Sequence, residues 1–349
     1  MPSPPADIPI IDLSGTQPDI AKQLVDAAAE HGFIYIRNQG HDIPSASVDE
    51  AFALSKKLLA APLEEKQACS IQTNNRGWTS MHAETLDPKN QKVGDLKEAF
   101  NFGEFIDHKA QKPLPPTIAA DEARISAFAN LCRALCLKIL TLLGEGLQVG
   151  TFFSSAHFQS QSGSGSTLRF LRYPPPSTTA HSPGEIRAGA HSDYGSITLL
   201  FRLRGQAGLE ILKKDNTWAP VPVVPPGTEN DPSPPVLINI GDLLSYWTNG
   251  LFRSTVHRVV FPAGEDGASN SVSGETSDQP RYSIAYFCHP METALLEPVP
   301  SDRIKAFVPQ EGLHDANPYA QRKKVLTAGE HLLMRLKESY GALYNENKA

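Results

Sequence analysis

The alternation of apolar and polar positions changes rhythm once along this chain. Over the first 150 or so residues the spacing is that of helices. Asp19 to His31 carries Ile20, Leu24, Val25 and Ala28 at three- and four-residue steps, predicting an amphipathic helix between short strands at Pro9–Leu13 and Gly32–Ile36. Ser47 to Lys66 has the same period, with a break at Pro62. Ile71 to Phe105 is mixed and polar around Asn75-Arg76-Gly77-Trp78, and Pro113 to Thr117 reads as a linker. The clearest helix is Asp121 to Leu147, where Phe128, Leu131, Leu135, Ile139 and Leu142 form one stripe and Gly144 marks the end.

From Ser166 to about Glu297 the period shortens to that of strands. Thr167–Tyr173, Gly195–Arg202, Gly208–Leu212, Val236–Ile240, Thr255–Phe261 and Arg281–Cys288 are β-rich runs separated by Gly, Pro, Ser, Asn and Asp clusters. Many short strands with such punctuation predict an antiparallel sandwich or barrel rather than βαβ units. Two inserts interrupt it. Pro220 to Pro235 holds seven prolines, and Ala263 to Gln279 is polar and rich in Gly, Ser and Asp, so both are expected to be surface loops. Lys305 to Tyr344 returns to a helical pattern. The fold class expected is mainly β with flanking helices.

Composition narrows the function classes. The 349 residues carry 32 Lys and Arg against 38 Asp and Glu, a net charge of −6, and contain no basic run. Neither a nucleic acid nor an anionic membrane surface is the expected partner. No apolar stretch is judged to approach the ~20 residues that span a bilayer. The Pro-rich, acidic start lacks the features of a secretory signal. Cys69, Cys132, Cys136 and Cys288 have no ligand-like spacing; Cys132 and Cys136 read as two small buried helix residues. Scattered thiols of this kind lead to an expected cytoplasmic location.

The chemistry gathers in the β-rich half. His191-Ser192-Asp193 lies at a strand entrance, where residues two apart project the same way, so an imidazole and a carboxylate can meet one divalent metal. His82-Ala83-Glu84 has the same spacing in a non-strand context. His257 sits among β-branched neighbours, fit to be either a satisfied core histidine or a third ligand. Two histidines and one carboxylate with open positions are the facial set of non-haem Fe(II) oxygenases, and no fourth ligand of a closed zinc site presents itself. Along Arg281–Cys288 the alternation puts Arg281, Ser283, Ala285 and Phe287 on one face. An inward arginine followed by a hydroxyl makes a carboxylate clamp, whereas the reversed register would leave Arg281 in solvent.

Taken in order, these stretches resemble the Fe(II)/2-oxoglutarate-dependent dioxygenases of the isopenicillin N synthase-like group. Pro9–Leu13 and Gly32–Gly40 match the opening of that family, and His191-x-Asp193, His257 and Arg281-x-Ser283 match its signature. Within the group, the fungal thymine 7-hydroxylases are similar at Asn75-Arg76-Gly77, Leu168–Pro174, His191–Phe201, Gly241–Leu244, Ser254–Val260 and Arg281–Cys288.

The resemblance implies a double-stranded β-helix (jelly-roll) core within a single catalytic domain over residues 1–349. It implies that His191, Asp193 and His257 hold Fe(II), that Arg281, Ser283 and Tyr173 bind 2-oxoglutarate, and that O2 is the second co-substrate. Arg169, Tyr194, Phe287 and Asn75 fall where such enzymes line the substrate pocket. The implied activity is oxidation, most simply hydroxylation, of a C–H bond in a small planar or aromatic molecule of the kind met in secondary metabolism. 2-Oxoglutarate would become succinate and CO2, with no obligate protein partner. An iron oxidase not using 2-oxoglutarate, or a non-catalytic metal-binding protein of the same architecture, are the alternatives. Ala190, Arg172 and Trp78 stand where the thymine enzymes have an acid, a histidine and a tyrosine, so thymine itself is not implied.

Overall fold

A computed structural model describes residues 3–159, 163–175, 186–261, 279–308, 325–340 and 343–344. The N-terminal half runs β1 (Ile10–Ile11), α1 (Gln17–Glu30), β2 (Phe33–Ile36), α2 (Ser45–Leu59), α3 (Leu63–Ala68), β3 (Gly77–Thr79), β4 (Glu98–Phe102), β5 (Phe105–Ile106), β6 (Lys109–Ala110), α4 (Pro116–Ala119), α5 (Glu122–Gly146) and α6 (Phe152–Phe158). The rest runs β7 (Thr167–Tyr173), β8 (Ile186–His191), β9 (Ile197–Arg202), β10 (Leu209–Leu212), β11 (Trp218–Pro220), β12 (Val236–Ile240), α7 (Asp242–Trp247), β13 (His257–Val260), β14 (Arg281–Cys288), α8 (Asp302–Ala306) and α9 (Ala328–Ser339).

Two sheets carry the architecture. The larger has the order β1-β2-β12-β9-β14-β7-β4-β3, and the smaller β11-β10-β13-β8. All pairings are antiparallel except β1 with β2. Strand alternation sorts the side chains. On β14, Ile284, Tyr286 and Cys288 join the core shared with α2 and α5, while Ala285 joins Leu171, Ala188, Leu237 and Val259 in the cluster drawn from both sheets. That register answers the question left open for Arg281, which is 4% exposed and faces inward with Ser283.

Several expectations need correction. Ile71 to Phe105, expected to be mixed and polar, also contributes β3 and β4, which extend the larger sheet. Pro220 to Pro235 is more than a surface loop: Val221, Val223, Thr228 and Ser233 are buried, and the Tyr35 hydroxyl and Arg202 guanidinium bond its carbonyls at Pro222 and Val221. Gly144 lies inside α5 rather than ending it; a Cβ there would sit 2.1 Å from the Gly150 carbonyl oxygen. α5 is also long and apolar enough to cross a membrane by length and composition, contrary to expectation. Its stripe from Ile125 to Leu143 is buried, however, and the helix packs on α1, α6, β9 and β14. Cys132 and Cys136 are buried as expected. The polar insert, apart from Gln279, and residues 309–324 of the C-terminal helical stretch lie outside the described residues.

Candidate active site

β8 ends on His191, and β13 pairs His257 directly opposite it. The expected alternation within one strand is not how Asp193 joins them, for the chain has already left β8. Asp193 lies in the turn before β9, and that turn is fixed by backbone: the Asp242 N–H donates to the Asp193 carbonyl at 2.7 Å, and the Gly241 N–H to the Ser196 carbonyl at 3.0 Å. Gly241 is needed for this approach, since a Cβ there would lie 2.3 Å from the Gly195 carbonyl oxygen.

The result is convergence. Asp193 Oδ1 lies 3.7 Å from Nε2 of both His191 and His257. These three form the one group of His, Cys, Asp and Glu, among the described residues, close enough to share a metal ion. His191 Nδ1–H donates to the Gly189 carbonyl at 2.7 Å and His257 Nδ1–H to that of Thr255 at 3.1 Å, which leaves both Nε2 lone pairs directed inward. Burial, reinforced by the neighbouring His257, lowers the His191 pKa to about 4, so the ring is neutral. Burial pushes the Asp193 carboxyl up, but the two imidazoles and hydrogen bonds from Thr198 and Asn239 outweigh it and hold the group ionised. Two imidazoles with inward Nε2 atoms and one carboxylate fit a divalent cation whose remaining positions stay open. His82 and Glu84 form no such set: His82 is exposed, and Glu84 is ion-paired with Lys97 and Arg169.

The same cavity takes in Arg281, Ser283 and Tyr173. The Arg281 guanidinium lies over the Tyr173 ring at 4.8 Å, and its Nε donates to the Ala207 carbonyl at 2.9 Å. Its buried Nη1 has no hydrogen-bond partner. A desolvated guanidinium N–H without an acceptor is costly, and a carboxylate is the group that satisfies it in bidentate fashion. Metal ligands and an unanswered cation therefore open onto one space. That donor set fits a ferrous ion together with a dicarboxylate.

The four residues expected at a substrate also line this cavity, with different engagements. Phe287 projects from β14 on the Arg281 face. Tyr194 bonds through its hydroxyl to Ser339, with the Arg335 guanidinium 5.0 Å from its ring centroid. Arg169 is not free to take a carboxylate end-on, because Glu84 and the Tyr340 hydroxyl occupy its terminal nitrogens. Asn75, at φ 60°, accepts from Asn101 through its carbonyl and its side-chain oxygen. Residues missed in the sequence are Thr198, Asn239, Lys97, Asn101 and Tyr340, and Glu84 was read only as part of a ligand-like spacing rather than as the partner of Lys97 and Arg169. Asn239 had a signal, a lone amide inside the apolar run Val236–Ile240; Tyr340 had none.

Comparison with known proteins agrees with this geometry. Residues 165–290 match the 2OG-Fe(II) oxygenase superfamily, and residues 8–119 the N-terminal region of non-haem dioxygenases in morphine synthesis. A UPF0676 protein of Schizosaccharomyces pombe is 34% identical, covering 96% of this chain and 93% of its own. Proline hydroxylase buaE of Petromyces alliaceus is 30% identical, covering 93% and 95%. The structure of Neurospora crassa thymine 7-hydroxylase with α-ketoglutarate and thymine aligns with a TM-score of 0.71 at 25% identity, over 95% of this chain and 96% of that one.

Proposed function

Because the chain belongs to the 2OG-Fe(II) oxygenase superfamily, we propose that His191, Asp193 and His257 hold its iron and that Arg281, Ser283 and Tyr173 hold its 2-oxoglutarate. The protein is an oxidoreductase, a 2-oxoglutarate-dependent dioxygenase whose cofactors are Fe(II), 2-oxoglutarate and O2. On this reading the two sheets are the jelly-roll core of one catalytic domain, and the substrate is a small, planar or aromatic molecule hydroxylated at a C–H bond. With Fe(II) and 2-oxoglutarate bound, the site would support an oxidation driven by O2, one oxygen atom entering the substrate and the other the co-substrate, which would leave as succinate and CO2.

The chain's own residues prepare and restrain that chemistry. Gly189 and Thr255 carbonyls fix the tautomer of each histidine, and Thr198 and Asn239 keep Asp193 ionised and turned inward. Arg281 gives the far carboxylate of the co-substrate a single orientation, which removes rotational freedom before reaction. Phe287 offers a flat apolar face on which a ring can stack, while Arg169 and Asn101 line the adjoining strands.

The observation that carries the reading is the unpartnered Nη1 of Arg281, buried in the cavity that holds the three-residue cluster. Release of CO2 from carboxyl-labelled 2-oxoglutarate tests it and separates a dioxygenase from an oxidase that ignores this co-substrate. Arg281→Leu should raise the 2-oxoglutarate requirement by tens- to thousands-fold, corresponding to about 2–5 kcal/mol for a desolvated charge-assisted contact. An unchanged requirement would put the clamp elsewhere. His191→Ala and Asp193→Ala should each abolish succinate formation.

A further inference from the structure

One wall of the cavity is built from charges that cancel. Glu84, Asp95, Lys97 and Arg169 are all buried and form a single network. Lys97 Nζ meets Glu84 Oε2 at 2.9 Å and also pairs with Asp95. Arg169 Nη2 donates to Glu84 Oε2 at 2.8 Å and to the Tyr340 hydroxyl at 3.0 Å, with Nη1 at 3.3 Å from Glu84 Oε1. Two cations thus answer two carboxylates. A ligand carrying its own negative charge would have to compete with Glu84 for a cation already matched, in a place where any charge left over is desolvated.

Two polar atoms on this wall are left unmatched. Arg169 Nε is a buried donor without an acceptor, and Asn101 Oδ1 a buried acceptor without a donor. β4 and β7 pair Asn101 directly opposite Arg169, so the two stand side by side on adjacent strands, and both line the cavity. The Asn101 amide has only one sensible orientation. Its Nδ2 donates to the Asn75 carbonyl at 3.1 Å and to Asn75 Oδ1 at 3.0 Å; a flip would set oxygen against a backbone oxygen. The wall therefore holds one unmatched N–H and one unmatched C=O on directly paired residues.

The geometry points to a substrate that is neutral and carries an amide-type edge, a C=O for Arg169 Nε beside an N–H for Asn101 Oδ1, as in a lactam, cyclic imide or carboxamide. A carboxylate offers two acceptors and no donor, so it would face Asn101 Oδ1 oxygen to oxygen. Phe287 lies two residues beyond Ala285, the β14 partner of Arg169, and on the same face, which suits a planar ring. The inference rests on the reading of this cavity as the oxygenase active site. It adds Asn101 as a residue that selects the substrate, and gives Asn75 the task of orienting it.

The test is anaerobic calorimetry on the enzyme loaded with Fe(II) and 2-oxoglutarate, at millimolar concentrations of three matched probes: 2-pyridone, N-methyl-2-pyridone and benzoate. 2-Pyridone should bind at least about tenfold tighter than the other two, the discrimination typical of one buried hydrogen bond lost at a pocket. Asn101→Leu should reduce 2-pyridone to the level of its N-methyl analogue. Equal or tighter binding of benzoate or N-methyl-2-pyridone by the wild-type enzyme overturns the inference, as does no binding of 2-pyridone. The wild-type series decides the matter even if the Asn101 variant does not fold. Titration of 2-oxoglutarate into the same iron-loaded enzyme reports on the metal and Arg281 separately, so loss of amide selectivity with that binding intact sinks this inference alone.

Discussion

The carboxylate of Asp193 is held by one oxygen and presented by the other. Oδ2 accepts from Thr198 Oγ1 at 2.6 Å and Asn239 Nδ2 at 2.7 Å, both from strands of the larger sheet, while Oδ1 faces the two histidines of the smaller one. Removing one of these donors should loosen the ligand without altering its charge. Thr198→Val, close to isosteric, is expected to weaken metal binding by roughly 10–100-fold, read from anaerobic Co(II) or Fe(II) titration. Unchanged affinity would mean that Asn239 alone orients the group. At this scale much of the site was legible. Arg281 and Ser283 declare themselves because alternation along a strand is local and a guanidinium on an inward face demands an anion. Glu84 and Lys97 do not, since what makes them interior residues is each other and Arg169, which lies 85 positions beyond Glu84.

Among the elements, α9 shows how a helix read correctly from its period can still hide its purpose. It starts with a capping box, Thr327 Oγ1 accepting from the Glu330 N–H at 3.1 Å and Glu330 Oε2 from the Thr327 N–H at 2.9 Å. Twelve residues are too few to hold a helix in water unaided, so α9 depends on its cap and on what it docks against. Arg335 pairs with Asp242 at 2.9 Å, Tyr340 reaches Arg169, and Leu332 and Leu336 close one side of the cavity. Those partners lie far back in the chain, where no periodicity could reveal them. Thr327→Ala should cost about 1 kcal/mol. The loss should appear as faster amide hydrogen exchange across 328–339, with β9 and β14 unaffected. β4 was hidden for the opposite reason. Glu98 and Asn101 break its apolar pattern, yet Lys66 and the Trp78 indole satisfy Glu98, and Asn75 holds Asn101.

The molecule as a whole holds several histidines neutral. Burial lowers His157, His191 and His331 from 6.5 to about 4, and His289 to about 3. The unfolded chain begins to take up protons near pH 6.5, whereas the folded one resists until near pH 4. The unfolded state therefore binds more protons throughout that window, and stability is complete above it and lost as pH falls through it. The melting temperature should drop between pH 6.5 and 4, before the carboxylates titrate. His157 is a clean reporter because it lies outside the metal cluster, donating from Nδ1 to the Phe153 carbonyl at 2.6 Å and accepting at Nε2 from Ser196 at 2.8 Å. His157→Gln should flatten that slope, removing a dependence of roughly 3 kcal/mol across the window. An identical pH profile would place the acid sensitivity elsewhere. The two halves of the cavity also have different origins in the chain. The metal cluster and Arg281 come from β8, β13, β14 and the turn after β8, while the facing wall comes from residues 84–101, from Arg169 of β7 and from α9. The two meet at several points: Asp95 takes the Gly189 N–H at 3.0 Å, the Tyr194 hydroxyl bonds Ser339, and β14 carries both Arg281 and Phe287. Residues 84–101 and α9 can therefore be varied with the three ligands and Arg281 left in place: one reaction kept, its clientele rewritten.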